Sequence, residues 1–222
     1  AMVQQGRQFS DRTMDMVRKG GWTICEAARI EPANGEKVLP QYQDQFTKFG
    51  FWTWEVFDRI VYLDSDCLVV QDISGLITAP RASFAAVRDW TAGKFQGTFN
   101  MGVFSLRPNV SEFRYFMEQK ATFVGYNVKM AEQGFLNGLQ YHWEEFPFDY
   151  NGGIGMFFLA RDEWLERADS IRIFHFTRKK PFIEFKDDLG SGVDPACADI
   201  KGSPTTLPME YWKCLYEEWI LE

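Results

Sequence analysis

The sequence predicts an α/β domain built on a mostly parallel sheet, and three observations carry that prediction. Short apolar runs rich in β-branched and aromatic residues alternate with stretches of helical pattern along the chain. One such run, Ile60-Val61-Tyr62-Leu63, ends directly in Asp64-Ser65-Asp66. That is the position past a strand's carboxyl end where open α/β sheets hold ligands. The 222 residues, 45% hydrophobic and 25% charged, suffice for one sizeable core. With no internal repeat, low-complexity tract or linker, residues 1–222 are expected to form a single domain.

In chain order, Ser10 opens "DRTMDMVRKGG", a helix with an N-cap, an acidic first turn, a basic last turn and a glycine stop. "WTICEAA" reads as a strand, and "EPANGEK" as a turn-rich segment. The spaced aromatics of "QDQFTKFGFWTW" predict a helix packed on a sheet. After the Ile60–Leu63 strand come a helical turn at "DISGLI" and strands at "SFAAVRD" and "TFNMGVFSL". Helices follow at "VSEFRYFMEQKATF" and "AEQGFLNGLQ", then a strand at "IRIFHF" and an amphipathic helix at "LPMEYWKCLYEEWIL". Residues 190–204 read as a short loop.

Composition narrows the function. A net charge of −7 opposes nonspecific nucleic-acid binding, which needs a basic footprint, but permits an anionic substrate held by a local positive cluster. Aromatics make up 17% of the chain and fit either a ring-packed core or a cleft with platforms for a sugar or base. The four cysteines, Cys25, Cys67, Cys197 and Cys214, lack metal-type spacing, and Cys67 reads as a buried thiol. No run of 18 apolar residues and no leader pattern is present, which favours a cytoplasmic location.

The chemistry concentrates at Asp64 and Asp66. On an extended strand, carboxylates at i and i+2 share a face, and their repulsion needs a cationic partner. A hard divalent cation, Mn²⁺ or alternatively Mg²⁺, takes oxygen ligands and often shares them with substrate phosphates. The competing reading is an Asx-rich turn held by local hydrogen bonds. His175, in "IFHFTRKKPF", ends a second strand and offers an imidazole to Mn²⁺. The Arg178-Lys179-Lys180 run that follows is either a solvated surface or a neutraliser of phosphate charge. His142 has no such company.

These residues, with "DQFTKFGFWTWEVFDRIVYLDSDCLVVQDI", "FNMGVFSLRPN", "EQGFLN", "FPFDYN" and "HFTRKKPF", resemble the glycogenin-like glycosyltransferases of family 8. The resemblance covers roughly Gln41 to Phe182. It implies a GT-A nucleotide-sugar-binding fold with a mostly parallel mixed sheet, and a metal-dependent retaining hexosyltransferase. Such an enzyme moves a sugar from a UDP-sugar to a hydroxyl of a glycan, polyol or protein. The resemblance also implies roles. Asp64 and Asp66 match the D-x-D metal ligands, with Asp64 also near the donor, and His175 matches the third ligand. Lys48 and Lys180 match lysines on the donor and its diphosphate. Asn100 and Gln133 match sugar contacts, and Glu132 with Gln133 stands in the catalytic acidic motif.

The match has departures. Lys129 stands at the first acidic position of the family's D-x-x-D-Q, and Glu132 at the second. Arg178 stands where a glycine is usual and Phe182 where a tryptophan is. The family's opening strand and uridine loop have no counterpart before Lys48. The first residues instead resemble the end of its second strand, a helix and a third strand, so the sheet is expected to lack its usual first strand. That absence makes a truncated or noncatalytic GT-A-like scaffold module the alternative. Between Asn151 and Phe174 there is no tyrosine, and Ser170 is the one hydroxyl side chain. Self-priming on this segment, as in glycogenins, is therefore not expected.

Overall fold

The structure is a computed structural model that describes residues 2–4, 9–32, 38–189, 194–202 and 207–221. In chain order its elements are β1 (Met2–Gln4), α1 (Asp11–Lys19), β2 (Cys25–Ala27), β3 (Ile60–Leu63), β4 (Cys67–Val69) and α2 (Gly75–Thr78). There follow β5 (Phe84–Thr91), β6 (Lys94–Leu106), α3 (Val110–Thr122), α4 (Ala131–Gly138), β7 (Glu144–Phe146) and β8 (Gly152–Gly153). The last are α5 (Ile154–Leu159), α6 (Arg161–Arg167), β9 (Ile173–His175), α7 (Pro181–Glu184), α8 (Cys197–Gly202) and α9 (Pro208–Leu221). The chain forms two units, Ala1–Ile60 with Arg107–His142, and Val61–Leu106 with Trp143–Glu222.

In the first unit β1 pairs parallel with β2 and α1 lies between them in sequence, the strand–helix–strand order expected of the opening residues. Ser10 caps α1 by accepting the Thr13 N–H at 3.2 Å. The aromatic stretch differs from expectation. Gln45–Thr53 coils as a 3₁₀ helix and packs on α3 and α4 rather than on a sheet. Its spacing explains why: Phe46, Phe49 and Trp52 recur every third residue, which aligns them on one face at three residues per turn. All three are fully buried. Their rings meet Phe116 of α3 and Phe135 of α4 at centroid distances of 5.3–6.0 Å. In this unit the aromatic wealth is core packing. The "EPANGEK" turn falls largely on residues 33–37, outside the described residues.

The second unit holds a four-stranded sheet in the order β3-β6-β5-β7 and a three-stranded one in the order β4-β9-β8. Both are mixed: β5 runs antiparallel to β6 and parallel to β7, and β9 runs antiparallel to β4 and parallel to β8. The β5–β6 hairpin turns on Ala92-Gly93, both left-handed with φ of 53° and 81°, as a two-residue type I′ turn requires. Leu76, Ala85, Val87, Val103, Phe146 and Ile173 form one buried cluster, and Ile154, Met156, Trp164, Ile171, Phe174 and Phe176 belong to another. Strand β7, with two glutamates in three residues, carries no apolar run and was not predicted. Residues 190–204 are not all loop: α8 lies among them, whereas 190–193 and 203–204 fall outside the described residues. A Cys197–Cys214 disulfide ties α8 to α9, a pairing that spacing did not reveal. No helix among the described residues is long and apolar enough to cross a membrane.

Candidate functional site

Strand β3 delivers Asp64 to the end of its sheet, but a turn, not an extended strand, brings the two carboxylates together. The Cys67 N–H bonds the Asp64 carbonyl at 3.0 Å, reversing the chain through Ser65-Asp66 into β4. β4 pairs antiparallel with β9, setting Cys67 opposite His175. Asp64 Oδ2 and Asp66 Oδ1 then lie 3.8 and 3.3 Å from His175 Nε2. Tyr62 Oη donates to Asp64 Oδ1 at 2.6 Å and so orients that carboxylate.

The imidazole itself is seated by β6. Register between β5 and β6 slips between Ala86 and Val87, so that Met101-Gly102-Val103 bulges from the ladder. The Gly102 carbonyl accepts the Asp64 N–H at 2.7 Å. A Cβ on Gly102 would stand 2.1 Å from His175 Cε1, so only glycine leaves room for the ring.

The basic run resolves into three environments. Arg178 is exposed, its side chain passing over Gly155. Lys179 is a surface residue paired with Glu184 at 3.4 Å and lying over the Phe158 ring. Lys180, which precedes α7, turns inward and donates to Asp66 Oδ2 and to the Phe176 carbonyl. Burial alone would raise the Asp66 pKa. The hydrogen bonds and charges of His175 and Lys180 outweigh it and hold this carboxyl well below the usual carboxylate range.

Of the residues singled out from the sequence, Asp64, Asp66, Asn100, His175 and Lys180 come together in the second unit. Lys48, Glu132 and Gln133 belong to the first unit. There Lys48 Nζ pairs with Glu132 Oε1 at 3.0 Å, both side chains buried, and Gln133 on α4 is half-buried. Lys129 and His142 are exposed. Sequence reasoning missed Tyr62, Asp89, Gly102 and Asn151, which hold the cluster's shape. Asn151 stood in the quoted "FPFDYN" without a role.

The cluster suits a divalent cation. Two carboxylates and an imidazole nitrogen form a hard-to-borderline donor set. Among the described residues, the ligand atoms that all lie within 4.8 Å of one another are those of Asp66, Cys67 and His175; Asp64 stands outside that trio and approaches it through His175 Nε2 at 3.8 Å.

Comparison with known proteins agrees with this architecture. The profile described as Glycosyl transferase family 8 matches residues 32–181. UDP-glucuronate:xylan alpha-glucuronosyltransferase 1 of Arabidopsis thaliana is 25% identical over 177 residues, covering 75% of this chain and 25% of that protein. Glycogenin-1 of Caenorhabditis elegans is 29% identical over 137 residues, covering 59% of this chain and 30% of that protein. The chain thus spans about a quarter to a third of these relatives' length. The glycosyltransferase GlyE of Streptococcus pneumoniae TIGR4 superposes with a TM-score of 0.56 at 17% identity, over 82% of this chain and 48% of that one. The galactosyltransferase LgtC, solved with donor and acceptor sugar analogues, gives 0.51 at 18% identity, over 87% and 85%. These likenesses show the GT-A fold. With its profile matched over more than half its length, the chain belongs to glycosyltransferase family 8.

Proposed function

We propose that this chain is a GT-A domain of a Mn²⁺-dependent retaining glycosyltransferase that moves a hexose from a UDP-sugar to a separate hydroxyl acceptor. The observation that carries the reading is the convergence of Asp64, Asp66 and His175 with Lys180 at the ends of β3 and β9. Asp64, Asp66 and His175 would hold the ion, which supplies positive charge against the negative charge that develops on the departing diphosphate. Lys180, now on Asp66, is a cation able to exchange that carboxylate for a phosphate oxygen. The acceptor oxygen bonds to the anomeric carbon on the face where the bond to phosphate breaks, and its proton passes to the leaving phosphate oxygen.

The acceptor is read as a separate molecule because Asn151–Phe174 contains no tyrosine. Its one hydroxyl, on Ser170, is engaged with the Arg167 carbonyl at 2.8 Å. UDP release measured against a panel of UDP-sugars, with Mn²⁺ and with excess chelator, tests the reading. Release with at least one donor, suppressed by chelator, is expected. No release from any donor would favour a noncatalytic module, and full release in chelator would remove the metal.

A further inference from the structure

The side chains behind His175 form a hydrogen-bonded chain whose polarity is fixed from one end. It starts at the Gly102 backbone N–H, a group that only donates, which bonds Asn100 Oδ1 at 2.8 Å. That contact sets the orientation of the Asn100 amide. Its nitrogen then faces Asp89 Oδ1 at 3.1 Å, an acceptor, in agreement at the other side of the same amide. Asp89 lies where the β5–β6 register shifts a second time, between Arg88 and Trp90. Asn100 Oδ1 also receives Asn151 Nδ2 at 2.9 Å. The Asn151 amide can therefore turn only its oxygen toward the ring, and Asn151 Oδ1 lies 2.8 Å from His175 Nδ1.

From this geometry we infer that Asn151 is a positioning residue that fixes the tautomer of His175. In the neutral ring Nδ1 carries the hydrogen and Nε2 presents its lone pair toward Asp64 and Asp66; only the protonated ring also donates from Nε2 to Asp66. Both Asn151 and His175 are only 5% exposed, so water does not compete with the relay. A wrong tautomer would aim an N–H at the two carboxylates and offer a cation no ligand atom. Asn100 serves the relay with both acceptor directions and one amide hydrogen, its second hydrogen not being used in these contacts. The relevance to Mn²⁺ rests on the proposed function, but the tautomer does not.

The chain has two histidines, so the imidazole ¹⁵N–¹H long-range spectrum of the labelled, metal-free protein reads the tautomer directly. Spectra are taken at alkaline pH, and His142→Gln assigns the two signals. His175 is expected as the Nδ1–H form in the wild type. It should lose that preference in Asn151→Ala, and keep it in Asp89→Asn, where Gly102 still sets the polarity. An Nε2–H His175 in the wild type, or an unchanged tautomer in Asn151→Ala, would overturn the inference. Should Asn151→Ala fail to fold, the wild-type and Asp89→Asn spectra still decide. In a second arm, Mn²⁺ binding in the presence of UDP, followed by the free-ion EPR signal, should weaken about 10–100-fold in Asn151→Ala. Equal affinity there would limit the relay to a structural role and overturn the positioning claim. A wild type that binds no Mn²⁺ while showing the Nδ1–H tautomer would contradict the proposed function and leave the relay standing.

Discussion

Lys48 and Glu132 in the first unit, and Lys180 and Asp66 in the second, are both lysine–carboxylate pairs, yet they are built for different purposes. The first pair leaves 5% and 4% of its side chains exposed, the second 25% and 18%. A pair sealed from water cannot exchange partners without a large desolvation penalty. A more open pair can trade a carboxylate for a phosphate with a smaller desolvation penalty. The open pair also touches His175 and a turn rather than a helix interior, which gives its members independent supports.

The largest expected effect strikes the sealed pair. Lys48→Met alone leaves the Glu132 charge buried and should cost about 3–5 kcal/mol in denaturant unfolding, most of it recovered in Lys48→Met/Glu132→Leu. A loss as small as that of Lys180→Met would erase the distinction. Gly102→Ala comes next. Its Cβ needs the space of the His175 ring, and overpacking of this kind costs about 1–3 kcal/mol. The test is whether the variant also displaces the His175 imidazole signals; an unmoved ring would show that the seat is loose.

The open pair should announce itself in the pH profile of stability. Because the folded Asp66 carboxyl is held below its ordinary value, the unfolded chain binds the proton more readily. Its contribution is fully present above the unfolded pKa of about 4, and is lost as pH falls below that toward the folded value. Urea midpoints measured downward from about pH 6 should fall more steeply in the wild type than in Asp66→Asn; parallel curves would remove the linkage. The smallest effect is a control that touches neither pair. Ala92→Asn supplies the residue a type I′ turn prefers and should stabilise by roughly 0.5 kcal/mol without altering the ion pairs.

What the sequence made legible was local. Ser10 and its helix, the Ile60–Leu63 strand, the Val110–Thr122 helix and the strand ending at His175 announce themselves through caps and periodicity. The 3₁₀ coil was misjudged because aromatics every third residue also fit a loose helical pattern. Strand β7 and the Cys197–Cys214 bridge depend on partners distant in sequence, which no local window contains. Asp64, Asp66, His175 and Lys180 stand out in the sequence and converge in the fold, yet by a turn and an antiparallel β4–β9 pairing. The alternation argument had placed the two aspartates on one strand face. Asn151, Asp89 and Gly102 were overlooked for the same reason: their work is to orient a neighbour, and that becomes visible only when the bulged register of β6 is known.

Under the proposed function the open cluster, and not the sealed pair, would carry the metal and the diphosphate. Asp66→Ala tests this most directly, because it removes a carboxylate of the more open cluster rather than a residue of the apolar core. UDP-sugar cleavage with saturating Mn²⁺ should fall by about 10²–10³-fold or more, the several kcal/mol that metal stabilisation of a leaving group supplies, while the circular dichroism spectrum is unchanged. Wild-type rates in a correctly folded Asp66→Ala protein would contradict the account.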